Sequence, residues 1–306
     1  MPQVLALFGP TATGKSAIAH ALAREIGGEI VVADPFQRYR GLEIAADSPR
    51  PAERAEVRYH LVGDLDLHED STAGGYAARA HAAIDGILAA GRLPIVAGGT
   101  GLYLRAALCD LEMRPPPDPA VRAWAEDLVA DLPAAVEELA RRDPRAAQAV
   151  DRANPRRVAR ALERAVSGED PATGDIWSAP PRVPAWVACV DRPPDVLDVL
   201  IARRVDRELA DGLVPELRRA LARPDLARGP QQVIGMAEVA DMDAGTMGED
   251  ALPAALVART RRLARMQRTW MRRMHVDCLI ELGDGPASDA VHGIAAGWRR
   301  ARDGVV

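Results

Sequence analysis

The sequence predicts an α/β fold, a parallel sheet flanked by helices, with an all-helical insertion. Three observations predict it. An apolar run (4–8), a glycine-rich loop (9–16) and a helix with an apolar stripe (17–26) follow one another at the N-terminus. Strand-like and helix-like runs then alternate as far as residue 108, which is the pattern of βα units with functional loops on one sheet edge. Beyond that, the stiff stretch Arg114-Pro115-Pro116-Pro117-Asp118-Pro119 opens a region with helical periodicity and no convincing strand.

In chain order, Gly27-Gly28 ends the first helix and 29–33 forms a second strand. A loop follows at 46–50, a short extended piece at 59–62, and an amphipathic helix at 77–90, ended by Gly91. The run 93–97 is another buried strand, opening into Gly98-Gly99-Thr100-Gly101 and a helix over 102–108. Helices are expected at 120–131, 133–142 and 154–167, and a second linker at 178–184. The strand 185–190 resumes the sheet; helices at 195–211, 213–222, 235–241 and 252–273 follow, with a last strand over 276–281. The tail from Gly283 carries no signal. The expected domains are a core of 1–112 with 183–306, and a helical insertion of 113–182.

Gly9-Pro10-Thr11-Ala12-Thr13-Gly14-Lys15-Ser16 matches G-x-x-x-x-G-K-[ST] at every constrained position, in the strand–loop–helix context the motif requires. This makes the core phosphate-loop NTPase-like. Backbone N–H groups of such a loop converge on an anion, and Lys15 adds a point charge. Lys15 is the only lysine in the chain, where a compact ammonium suits a phosphate cradle better than a planar guanidinium. The motif shows that a phosphate binds, and leaves the reaction open.

A hydrophobic fraction of 48% and a net charge of −5 describe a globular chain without a general basic coat, although a local basic patch is compatible with them. Cys109, Cys189 and Cys278 are far apart and not in C-x-x-C pairs, which points to a reducing compartment and neither a disulfide framework nor a zinc site. No signal-peptide layout and no apolar run of membrane-spanning length is present, so a soluble, cytoplasmic protein that needs no membrane is expected.

Two further loops leave the sheet edge where ligands of open α/β folds sit. Asp34 ends the second strand, and three roles are open to a carboxylate there: magnesium ligand, general base, or cap of an Asp-Pro turn. At 98–101, glycines permit close backbone approach and Thr100 supplies a hydroxyl; a tight turn explains the same residues. On the helix 252–273, Arg261, Arg265, Arg268 and Arg272 share one face, opposite Leu263, Met266 and Trp270, with Thr260 and Gln267 flanking the apolar side. That reads as a solvated face over a core face, or as a phosphate-tracking stripe. Arg152 with Arg156, Arg157 and Arg160 forms a second basic cluster in the insertion.

Together these segments resemble the tRNA dimethylallyltransferases, also called isopentenyl-tRNA transferases. Residues 9–16 look like the family's GPTASGKS/T loop. Asp34-Pro35-Phe36-Gln37-Arg38-Tyr39-Arg40-Gly41 looks like D-S-x-Q-V-Y-x-G, and Gly98-Gly99-Thr100-Gly101-Leu102-Tyr103 like G-G-T-G-L-Y. Asn154-Pro155-Arg156-Arg157-Val158-Ala159-Arg160-Ala161-Leu162-Glu163 looks like N-D-x-x-R-[IV]-x-R-A-L-E. Weaker matches at 234–238 and 260–270 extend the resemblance over roughly residues 3–273. Departures are Pro35 for serine, Arg38 for valine, Met236-Ala237 for Tyr-Lys and Arg265-Met266 for Lys-Arg; Pro35 and Met236 bear on rate or base recognition.

The resemblance implies transfer of a dimethylallyl group from dimethylallyl diphosphate to N6 of the adenosine 3′ of the anticodon, tRNA position 37, with a tRNA anticodon stem-loop as partner. It implies that the loop 9–16, Lys15 and Ser16 (through Mg²⁺) hold the diphosphate and that Asp34 is the base, with Lys15 and Thr100 beside it in the catalytic set. It implies tRNA contacts from Asp34, Pro35, Phe36, Gln37, Thr100, Arg156, Arg157, Arg160 and Gln267, with Arg122 as a further candidate, in a monomer. Competing readings are an adenylate isopentenyltransferase acting on free AMP, ADP or ATP, an ATP-binding small-molecule kinase, and a tRNA-binding protein without activity.

Overall fold

A computed structural model describes residues 1–111, 117–168 and 176–304. The chain divides into two compact units, Met1–Leu111 with Ala179–Val306, and Glu112–Ser178. The Arg114-Pro115-Pro116 part of the first linker lies outside the described residues. The second division falls at Ser178, four residues before the boundary expected at 182. The reason is local: Arg182 forks onto Asp85 with two bonds of 2.9 and 3.0 Å, and its N–H donates to Leu108 O, so 179–184 is part of the sheet unit.

The first unit begins with β1 (Val4–Phe8), α1 (Lys15–Ile26), β2 (Gly28–Val32), α2 (Pro51–Glu56), β3 (Tyr59–His60), α3 (Ala73–Ala89), β4 (Leu93–Gly98) and α4 (Gly101–Leu108). The second unit comprises α5 (Pro119–Leu128), α6 (Leu132–Arg142), α7 (Pro144–Ala149) and α8 (Pro155–Val166). The first unit resumes with β5 (Ala185–Asp191), α9 (Pro194–Ala210), α10 (Leu213–Leu221), α11 (Met236–Asp243), α12 (Leu252–Met271), β6 (Cys278–Glu281) and α13 (Asp289–Asp303). Among the described residues no helix is long and apolar enough to cross a membrane.

The strands form one parallel sheet in the order β3-β2-β4-β1-β5-β6, the expected α/β core. β1 is buried along its whole length because strands pair with it on both sides and helices cover both faces. On one face Leu5, Leu7, Ile95 and Val190 meet Ile18 and Leu22 of α1 and Ile294 and Trp298 of α13. A separate apolar cluster joins Tyr39, Leu42 and Leu67 to α10, α11 and α12 through Leu213, Leu217, Met236 and Leu256. Met236 is 1% exposed there, so this departure from the family pattern is a core substitution. Register then sets the functional edge. Phe8 is level with Gly98 and with Cys189, and Val32 with Ala97, so the loops after β1, β2, β4 and β5 emerge together.

The second unit is punctuated by its own caps. Asp118, Asp131, Asp143 and Asn154 each accept a backbone N–H at a helix start, and each helix has proline in its first two positions. Val158, Ala161 and Leu162 of α8 pack against Ala125, Ala135 and Leu139, leaving Arg156, Arg157 and Arg160 exposed.

Several expectations are corrected. The sequence pattern does not predict α2, α7 and α13: two are only six residues long, and α13 follows a glycine-rich turn without a clear periodic onset. α3 begins at Ala73, capped by Thr72, and not at 77, because its first turn contains Gly74-Gly75. The last strand starts at Cys278. The buried stripe of α12 is Leu252, Leu256, Thr260, Ala264 and Gln267, whereas Met266 is 46% exposed. The helix therefore turns its polar flank inward, and the reason lies in the site it meets there.

Candidate functional site

The phosphate loop is built by two left-handed residues, Ala12 (φ 64°) and Gly14 (φ 92°), which fold its backbone into a concave nest ahead of α1. Thr13 Oγ1 donates to Pro10 O at 2.9 Å and Lys15 Nζ to the same carbonyl at 3.2 Å. Gly9 has no room for a side chain, since a Cβ would run into Val190 O. Gln267 of α12 is wedged between two loops. Its Oε1 accepts the Thr11 N–H at 2.7 Å, and its Nε2 fills the space a Cβ on Gly99 would need. This is why Gln267 is 3% exposed on a helix whose pattern put it at the border of the apolar face.

One pocket collects Thr11, Lys15, Ser16, Asp34, Phe36, Gln37 and Gln267 from the expected set, and Gly99 lines it where Thr100 is expected. Burial lowers the Lys15 pKa to about 8, opposed by the nearby Asp34 carboxylate. Burial likewise pushes the Asp34 pKa up, opposed first by the Phe36 N–H, which donates to Oδ1 at 2.8 Å, then by Lys15 and the Gln37 N–H. Asp34 thus caps its turn and faces the pocket at once. Its backbone donors come from Phe36 and Gln37, so Pro35 takes away no N–H that the carboxylate uses. Gln37 donates through Nε2 to Ala46 O and Asp47 O, each at 3.3 Å. Arg38, beside it, is 2% exposed and forks onto Asp64 at 3.0 and 2.7 Å. Thr100 is the N-cap residue of α4 and makes no side-chain cap bond; its neighbour Gly99 lines the pocket.

Three charged residues of the pocket escaped the sequence reading. Arg204 of α9 donates to Thr11 Oγ1 at 2.8 Å and to Glu208 at 2.6 Å, and lies 3.2 Å from Asp47. It adds a second fixed positive charge beside Lys15. Arg203, Arg204 and Arg207 are alike in sequence, and only the packing of α9 on α12 selects Arg204. Phe36, Leu213, Val233, Ile234, Leu256 and Leu263 supply an apolar wall.

The arginine stripe of α12 is partly used inside the fold: Arg261 pairs with Asp198 at 3.0 Å and Arg268 with Asp191 at 3.0 Å. In the second unit, Arg160 and Arg122 pair with the buried Glu163, at 2.5 and 3.8 Å, and Arg157 lies 3.8 Å from Asp151. No ion pair to Arg156 is found among the described residues.

Fold and pocket define an α/β protein of phosphate-loop-like fold, in which the loop after β1, with two cations, faces a partly exposed carboxylate and an apolar wall. The family model for IPP transferase matches residues 37–274. The tRNA dimethylallyltransferase of Salinispora arenicola is 40% identical over 301 residues, covering 97% of this chain and 87% of that protein. That of Anaeromyxobacter sp. (strain K) is 42% identical over 278 residues, covering 89% and 90%. Among solved structures, the tRNA isopentenylpyrophosphate transferase of Bacillus halodurans superposes with a TM-score of 0.73 at 28% identity, covering 98% of this chain and 96% of that one. The chain belongs to the IPP transferase family.

Proposed function

We propose that this protein transfers the dimethylallyl group of dimethylallyl diphosphate to N6 of adenosine 37 of tRNA, releasing diphosphate. The observation that carries the reading is the single pocket shared by Lys15 and Arg204, Asp34 and an apolar wall. The C1–O bond to the diphosphate breaks as the N6–C1 bond forms. Loop N–H groups, Lys15 and Arg204 stabilise the charge growing on the leaving diphosphate. The adenine N6 lone pair is delocalised into the ring, so the amine is a weak nucleophile, and Asp34 accepts the proton that N6 loses. Phe36, Val233, Ile234 and Leu256 exclude water from the allylic carbons. Reaching the base requires unstacking it from the anticodon loop, where a single-stranded nucleotide costs least. Arg156 and Arg157 are our candidates for gripping tRNA phosphates, with Thr100 and Gln37 near the base.

Ser16 lines the same pocket and offers a hydroxyl oxygen, the kind of donor magnesium takes beside phosphate oxygens. The Ser16 hydroxyl would hold Mg²⁺ together with diphosphate oxygens, leaving Asp34 free as the base, and the ion would supply charge neutralisation for the diphosphate. We place the reaction in the cytoplasm, in keeping with three free cysteines.

The test is a charging assay with labelled dimethylallyl diphosphate and either unmodified tRNA or AMP, beside an ATP-to-substrate phosphoryl-transfer control. Label on tRNA alone is expected. Label on AMP would make the chain an adenylate prenyltransferase; phosphoryl transfer without prenylation would make it a kinase.

A further inference from the structure

The corner where β5 ends joins the phosphate loop to the last part of the chain. Arg192 is 5% exposed, and its guanidinium donates to three backbone carbonyls. Its Nε donates to Thr13 O in the phosphate loop at 3.2 Å; its Nη1 donates to Gly283 O at 2.9 Å and to Gly285 O at 2.8 Å. A second contact lies beside the first: Ala287 packs so closely on Gly14 that a Cβ there would come within 2.6 Å of its methyl carbon. The corner itself is held from both sides. Leu282 N–H donates to Asp191 O at 3.0 Å, and Arg268 of α12 donates to Asp191 Oδ1 at 3.0 Å and to Arg192 O.

A buried guanidinium on a carbonyl makes a charge-assisted bond, stronger than a neutral one. Because the peptide is planar and trans, fixing Thr13 O also fixes the Gly14 N–H, which points the opposite way, away from Arg192. Gly14 is left-handed, with a carbonyl held by the Ile18 N–H, and as a glycine it leaves the peptide before it more freedom to tilt than another residue would. We infer that Arg192 is a positioning residue for diphosphate: it ties the phosphate loop to residues 283–287, so that the loop's hold on diphosphate depends on that C-terminal segment. This rests on the reading that the loop binds diphosphate. Coupling of this kind is reciprocal, so diphosphate in the loop steadies 283–287 in return.

Two measurements test it. In the intact wild-type chain, saturating inorganic diphosphate with Mg²⁺ should slow amide exchange over 282–291 as well as over 9–16. Protection confined to the loop would overturn the inference. In Arg192→Met, the Kd for inorganic diphosphate and the KM for dimethylallyl diphosphate should rise about tenfold, the worth of a bond to a charged group. The KM for tRNA should stay within about twofold, and Arg192→Lys, which keeps one charged donor, should recover part of the loss. Wild-type diphosphate affinity in Arg192→Met, or equal loss for both substrates, would reject the positioning role. If wild type itself binds no diphosphate while Arg192→Met is folded, the loop reading fails, and that result is distinct from the others.

Discussion

The backbone N–H of Thr11 donates to Oε1 of Gln267 at 2.7 Å, so a side chain 256 residues further along helps to shape the phosphate loop. Gln267→Leu keeps the volume and removes the acceptor, leaving a buried N–H unpaired. The expected cost is about 1–3 kcal/mol of stability, read from urea unfolding, with weaker diphosphate binding. A stability equal to wild type would mean that Thr11 finds another acceptor. Gly99→Ala should also lower stability, by displacing the Gln267 amide from Thr11, since its Cβ meets Gln267 Nε2.

The pH dependence of diphosphate binding follows from Lys15. Its pKa in the free protein is lowered to about 8, so the ammonium is complete below that pH and lost above it. A bound polyanion favours the ammonium, so affinity should be level below pH 8 and fall above it, with net proton uptake near pH 8–9. Calorimetry in buffers of different ionisation enthalpy reads that uptake directly. Stability has the opposite sign. A lysine depressed on folding makes the charged state the disfavoured one, so its contribution improves as pH rises from about 8 towards 10.5.

Asp34→Asn removes the proton acceptor while keeping an oxygen for the Phe36 N–H. Turnover should drop by roughly two to four orders of magnitude, the usual worth of a general base, with tRNA affinity nearly unchanged. Normal turnover would remove Asp34 from the mechanism. Because burial raises its pKa in the free protein, the acid limb of kcat/KM in the wild type should lie above the range of ordinary aspartates.

The arginines of α8 divide by their partners. Arg156→Ala and Arg157→Ala should weaken tRNA binding and shallow its salt dependence by about 0.7–0.9 in log–log slope per lost phosphate contact. Arg160→Ala deprives the buried Glu163 of its 2.5 Å partner and should chiefly lower stability. Equal salt slopes for all three variants and wild type would remove the cluster from the tRNA contacts.

Much of the site was legible because it sits at strand ends. A strand's apolar run is local, and so is the glycine pattern that follows it. The loops at 9–16, 34–37 and 98–101 therefore declared themselves before any packing was known. Arg204 did not, because α9 presents several arginines of equal standing and only one faces Thr11. The inward turn of α12 was hidden for the same reason. Its buried stripe includes Thr260 and Gln267, whose burial is favourable only because Leu256 O and Thr11 N–H are there to meet them. The C-terminal segment was silent, yet its carbonyls and Ala287 brace the phosphate loop.

The sequence by itself determined the α/β class, the phosphate loop with its single lysine, and the family, since each is written in contiguous motifs and their order. Tertiary structure alone decided which arginine joins Lys15, which way α12 faces, and that Gln267 and Arg192 hold the loop on two sides. Those choices depend on which buried polar groups lack a partner, and that is settled only when elements far apart in the chain are packed together.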